Sequence, residues 1–251
     1  MRGLGGIFAA VGLVVALCGA AEAMSVTPVL VDLKPAGAQA SGQVRVINTG
    51  DGELPVSLTV QAATLGPNGE LITTDTGADD LLVFPPQAIL KAGATQVFRM
   101  QWLGDPDLKQ SKTFVVSVAQ QPVAMPQGVS GIQLLYDFQV VVNVAPLTGD
   151  PALTIQGSEL VKDDKGARRA AITISNASDV HGYLSGTKLR LELDDATGKK
   201  VWSQSWIPEE VAGKVGIGLI QPHATRRFVL PFDLPTDGTK LIAEISYEGR
   251  R

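Results

Sequence analysis

Along the most regular stretch of the chain, apolar residues fall on every second position. Ile132, Leu134, Tyr136, Phe138, Val140, Val142 and Val144 form one row; Gln133, Leu135, Asp137, Gln139, Val141 and Asn143 form the other, and four of these are polar. Period-2 alternation predicts a strand with one apolar face. At ~3.3 Å per residue the run is on the order of 43 Å long, whereas a typical strand stops after about five or six residues. A strand of that length overruns the sheet of a small sandwich. Part of its apolar face is then expected to lack a partner in its own domain, a hazard unless another chain covers it.

The rest of the chain has the same β character. Short runs rich in Val, Ile, Leu and Thr alternate with Gly, Asp, Asn and Pro at the spacing of a β-sandwich. The first half predicts strands over Val26–Leu33, Gln43–Asn48, Pro55–Ala62, Leu81–Phe84, Thr95–Trp102 and Thr113–Ala119, then the long strand Ile132–Val144. Asn68-Gly69 and the segment Asn48 to Gly52 supply turn chemistry, because Asn and Gly tolerate positive φ. Ala145 to Pro151 holds two prolines and a glycine and cannot sustain a central strand. The second half predicts Ala152–Ile155, Ala170–Ser175, Thr187–Leu193, Lys200–Gln204, Gly216–Ile220, Arg227–Phe232 and Lys240–Tyr247. The expected fold is all-β: two tandem immunoglobulin-like β-sandwich domains, 24–145 and 146–251, with a cleft between them.

The first residues bear on compartment. Arg2 is a minimal basic start, Ile7 to Cys18 is apolar, and Ala21-Glu22-Ala23 offers small residues at a cleavage site. Residues 1–23 therefore read as a secretory signal peptide, the apolar run being too short for a bilayer. Leu17 before Cys18 argues against lipoprotein processing. The mature chain would start near Met24 with no cysteine, so that its core alone holds the fold. No later segment reads as a membrane span. A formal charge of −4 gives no electrostatic footprint for nucleic acid.

Candidate chemistry is sparse. The two histidines, His181 and His223, lie in polar loop and turn sequences, with Asp179 the carboxylate nearby, which falls short of a metal-ligand set. Both read as solvated loop residues. No Gly-x-Ser-x-Gly elbow occurs, and Asp163-Asp164-Lys165-Gly166 lacks the full calcium-loop pattern. The reading is of a protein that is not an enzyme and has neither metal nor cofactor. Asn176-Ala177-Ser178 reads as turn chemistry.

The segment from Phe84 to Arg99 carries more information. It runs Phe84-Pro85-Pro86, then Leu90-Lys91-Ala92-Gly93, then Gln96-Val97-Phe98-Arg99. Prolines place a bent edge strand before a turn at Lys91–Ala94, and the next strand sends Phe98, Met100 and Trp102 inward with Arg99 and Gln101 outward. This segment resembles the signature of the periplasmic pilus-assembly chaperones, the PapD-like family, with Ala92 in place of a proline. Ser25 to Leu33 looks like that family's first strand and Arg45 to Gly50 like its second, while the long strand resembles its G strand up to Pro146. The second half matches more weakly, at Ile174-Ser175-Asn176 and Gly198-Lys199.

The resemblance implies donor-strand complementation. Pilus subunits of that family are incomplete sandwiches, and the chaperone lends them its G strand; this chaperone–pilin pairing is a standard example of β-augmentation. The donors here would be Ile132, Leu134, Tyr136 and Phe138, with Val140, Val142 and Val144 in the chaperone's own core. Pilus or fimbrial subunits, and an outer-membrane usher that receives them in the periplasm, are the implied partners, and the free protein could cap itself as a dimer. In the family two cations in the cleft grip the subunit's terminal carboxylate. Their positions fall here on Leu30 and Val141, both apolar. Arg99, and after it Arg45 and Lys112, are the substitutes that sequence offers for that carboxylate. A sandwich pair that binds a small ligand or carbohydrate through Trp102, Trp202 or Trp206 is the alternative reading, and a polymerising surface subunit a third.

Overall fold

The computed structural model describes residues 24–123 and 133–249; the expected signal peptide and Ile132 lie outside them. The first sandwich is built from β1 (Met24–Thr27), β2 (Leu30–Leu33), β3 (Ser41–Asn48), β4 (Leu54–Leu65), β5 (Leu71–Thr74), β6 (Leu81–Phe84), β7 (Gln87–Leu90), β8 (Thr95–Trp102), β9 (Lys112–Gln120) and β10 (Asp137–Val144). One sheet has the order β1-β3-β8-β6; the other runs β2-β10-β9-β4-β5, with β7 also pairing β4. The predicted first strand is thus two strands. Pro28, which has no N–H to give a ladder, separates β1 in one sheet from β2 in the other.

Alternation accounts for the core between these sheets. Val44 and Val46, Phe98, Met100 and Trp102, Phe114, Val116 and Val118, and Val140, Val142 and Val144 all point inward and are buried. Phe114 meets Trp102 edge-on at 6.0 Å between ring centroids. Asn48 closes β3 from a buried position. Its Nδ2 donates to the carbonyls of Gly52 (2.7 Å) and Leu90 (3.0 Å), and its Oδ1 accepts from the Gly50 N–H. Asn48→Ala orphans those main-chain groups and is expected to cost about 2–3 kcal/mol, measured as a lowered urea midpoint.

The second sandwich comprises β11 (Leu153–Lys162), β12 (Arg168–Asn176), β13 (Gly182–Tyr183), β14 (Thr187–Asp194), β15 (Lys200–Trp206), α1 (Pro208–Val215), β16 (Leu219–Ile220), β17 (Thr225–Leu230) and β18 (Lys240–Tyr247). Its sheets run β11-β12-β17 and β15-β14-β18, and β13 pairs β16. Ile172, Ile174, Leu189, Leu191, Leu193 and Leu230 fill the space between them. Helix α1 was not expected. Pro208 at its first turn and Glu210, whose carboxylate accepts from the Ile207 N–H at 3.0 Å, start it, and Val211 anchors it in the core.

The long strand is shorter than its sequence pattern. The pattern starts at Ile132, but the ladder starts at Asp137. Partner strand β9 ends at Gln120, and its neighbour Pro122 has no N–H to donate. The Gln120 N–H still reaches the Tyr136 carbonyl at 2.8 Å. Gln133 to Tyr136 thus have side-chain alternation but no ladder to belong to.

Candidate functional site

β10 is flanked unequally. On one side β9 pairs it along its whole length, from Asp137 with Ala119 to Val144 with Lys112. On the other side β2 pairs it in parallel only from Val141 to Val144. Bonds to the two neighbours alternate along a strand. The Tyr136 carbonyl is bonded toward β9, and the Val141 N–H is bonded to the Val29 carbonyl at 3.0 Å on the other side. Asp137 and Gln139 share the parity of Val141, so their main-chain groups face the side where no described strand pairs. This is an open edge four residues long, Asp137 to Val140.

Apolar side chains continue from that edge. Leu134 is 71% exposed, Leu135 46% and Tyr136 36%, whereas Phe138 packs partly against the first core and Val140 is fully buried. The rings of Tyr136 and Phe138 lie 6.4 Å apart, inclined by 30°. Phe138 thus stands where the exposed row passes into the buried one.

The second sandwich sits against the other end of β10. Leu30 and Val141, register partners in the β2–β10 ladder, pack with Tyr183, Leu219, Leu65 and Ile217 in a small apolar cluster. Leu30, Tyr183 and Leu219 are buried in it. Beside it runs a polar network that the sequence reading missed. Thr113 Oγ1 donates to Asn143 Oδ1 (2.7 Å), Asn143 Nδ2 donates to the Tyr183 hydroxyl (2.8 Å), and that hydroxyl donates to Asp32. A second branch reaches the same carboxylate. The His181 main-chain N–H donates to Ser111 Oγ (3.1 Å), Ser111 Oγ meets His181 Nδ1 at 3.0 Å, and His181 Nε2 faces Asp32 at 3.3 Å.

Donor capacity fixes the second branch. An ionised Asp32 carboxylate only accepts, so the proton stands on Nε2 facing it, and in the neutral imidazole Nδ1 then accepts from the Ser111 hydroxyl. Ser111, His181 and Asp32 are the residue types of a hydrolytic triad, but here they bind two domains together. Residues from β2, β9 and β10 hold residues around β13. His181, expected as a solvated loop residue, is 6% exposed because the first sandwich covers it. His223 is the exposed histidine, with Nε2 at 2.8 Å from Asp179.

A side-chain amide completes the contact. Gln221 accepts from the Leu65 N–H at 2.8 Å and donates to the Ala63 carbonyl at 3.0 Å, satisfying β4 beyond the point where β9 leaves it. A groove between the sandwiches is lined there by Ala63, Thr64, Ser111, Thr113, Gln221 and Pro222. Gln221→Met keeps the bulk and removes both bonds. It is expected to cost about 1–2 kcal/mol, with faster hydrogen exchange at the Leu65 amide.

The three candidate cations stand elsewhere. Arg45 (on β3) and Arg99 (on β8) are exposed on the sheet that does not contain β10, and neither makes an ion pair among the described residues. Arg99 pairs in register with Gln43 and Phe84, next to the exposed Leu82 and Phe84. Lys112 binds Asp80 at 2.6 Å and lies 5.7 Å from the Trp102 ring centroid. None of the three is brought to Leu30 and Val141. Of the tryptophans of the ligand-binding alternative, Trp102 and Trp206 are buried, Trp206 stacks on Phe232 at 4.0 Å, and Trp202 is half-buried and packs against the second core. Among the described residues no cluster of His, Cys, Asp and Glu could hold a metal ion, and no helix is long and apolar enough to cross a membrane.

No protein-family model and no curated protein matches this chain. Solved structures do. The chain is similar to the YadV chaperone (16% identity, TM-score 0.51, covering 90% of this chain and 96% of that one). It is also similar to the class 5 fimbriae chaperone CfaA (14%, 0.50, 88% and 98%). A third is the CsuC–CsuE chaperone–tip adhesion subunit pre-assembly complex from the archaic Csu pili of Acinetobacter baumannii (13%, 0.50, 88% and 97%). The shared fold is the two-domain β-sandwich expected from the sequence.

Proposed function

We propose that this chain is a non-enzymatic periplasmic chaperone, exported by its leader, that holds pilus or fimbrial subunits by lending them the start of β10. The observation that carries the reading is the open edge Asp137–Val140, which continues into the exposed row Leu134 and Tyr136. An unpaired strand edge beside exposed apolar side chains is what proteins ordinarily cover. A subunit that lacks a strand supplies the missing neighbour, and main-chain bonding with alternate side chains in pockets is the mode of recognition. Ile132, Leu134 and Tyr136 enter the guest's core, while Phe138 bridges to the chaperone's own. Likeness to a solved chaperone–tip adhesion subunit complex supports the same assignment.

Two further partners belong to this reading. An outer-membrane usher receives the subunit, and a second copy of the chain caps the edge when no guest is present. The test is capture of the mature protein from periplasm, with the neighbouring genes co-expressed. A small β-rich secreted chain should co-purify in about equal amount, and its absence would sink the proposal. Sedimentation of the free protein should show a concentration-dependent dimer that the guest dissolves.

A further inference from the structure

From Thr113 to Gly149 the sequence carries one charged side chain, Asp137. It is the first paired residue of β10, and its main-chain groups lie on the open side of that strand. Its side chain is exposed on the face of the sheet that Gln139, Ser117 and Ala119 share, turned away from the row Leu134, Tyr136 and Phe138. Ser117 Oγ donates to Asp137 Oδ1 at 2.5 Å, which holds the carboxylate over that face. Among the described residues Asp137 has no ion pair. In the strands of this sheet the only cation is Lys112, at the far end of β9 and bound to Asp80.

Alternation alone leaves a degeneracy that this charge removes. A slip of one residue turns the apolar row out of a guest. A slip of two keeps the row inward and repeats the main-chain bonding, moved along by about 6.5–7 Å. We infer that Asp137 selects between such registers: the guest segment paired along Asp137–Val140 carries a lysine or arginine on its outward face, beside Asp137. Neighbouring strands lie about 4.8 Å apart, within reach of either side chain. Opposite charges set across a ladder attract, and like charges repel. In the correct register the guest's cation meets the carboxylate; two residues away it meets Gln139 or Leu135, which cannot neutralise it. The same carboxylate rejects a segment that brings an acidic residue to that place.

This inference rests on the chaperone reading, and one competition separates the two. The parent and a variant, under different tags, are co-expressed with the subunit that the parent captures, and the subunit divides between them. The parent should hold about threefold more than Asp137→Asn and about tenfold more than Asp137→Lys. Changing one lysine or arginine of the subunit to glutamate should reverse the preference, toward Asp137→Lys. Thermal melts of both variants should match the parent, because the side chain is exposed. Division within about twofold for Asp137→Lys overturns the inference while the chaperone reading stands; self-association of free Asp137→Asn would then assign the carboxylate to guarding the edge. A preference that no single charge change in the subunit reverses overturns it too. If the parent captures no subunit, the chaperone reading falls, and the inference with it.

Discussion

Leu134→Asp combined with Tyr136→Asp should give a folded protein that no longer holds a subunit. Both side chains are exposed, and neither contributes to the buried core of the first sandwich. Surface changes of this kind shift stability by no more than about 0.5 kcal/mol. In the complex, each apolar side chain that enters the guest contributes roughly 1.5–3 kcal/mol. Losing both, and burying a carboxylate in place of each, weakens binding by at least about 100-fold. Circular dichroism and thermal melts would report the fold, and the ratio of co-purified subunit would report the binding. A fall in melting temperature that matched the loss of binding would show that these residues hold the first sandwich itself together.

Tyr183→Ala should have the largest effect on the two-domain arrangement. The ring is 3% exposed, meets His181 edge-on at 5.1 Å, and packs with Leu30 and Leu219. Its hydroxyl accepts from Asn143 and donates to Asp32. Truncating a buried aromatic ring costs about 3–5 kcal/mol, and the orphaned Asn143 amide adds to that. For a chain of this size each kcal/mol lowers the midpoint by about 2–4 °C, so a fall on the order of 10 °C is expected. The change lies between the sandwiches, so calorimetry is expected to show a single transition for the parent and separate transitions for the variant. Tyr183→Phe keeps the ring and loses only the hydroxyl, at about 1–3 kcal/mol.

How far the fold was legible depended on how local its causes are. β6, β8 and β18 occupy the stretches that alternation marks, because each has one face on a core and the other in solvent. β5 left no such mark: all four of its residues are exposed, so no alternation encodes it. Strand β7 is the edge strand that Pro85 and Pro86 place before the turn at Lys91–Ala94. Helix α1 announced itself only through Pro208 and the two glutamates after it, a weak signal among so many strands. The seam between the sandwiches was illegible for a different reason. Asp32 and Asn143 look like isolated polar residues in valine-rich strands, and what satisfies them lies 151 and 40 residues away. His181 sits among polar neighbours in sequence, yet it is buried by residues from the other sandwich. Leu30 and Val141 were visible as apolar substitutes for cations; that they pair and are capped by Tyr183 and Leu219 required the fold.

The unequal flanks of β10 give the joint a mechanical polarity. From Val141 to Val144 the strand is bonded on both sides, and from Asp137 onward it is bonded to β9. Traction on a cargo paired along the open edge acts parallel to the strand and loads those main-chain bonds together, in shear. A competing strand that enters at Gln133, beyond the last bond to Gln120, meets them one at a time. In the proposed complex the same few residues would resist being pulled and yield to being peeled, so a bound chain would stay in place under traction and leave only to a strand that arrives from the correct end.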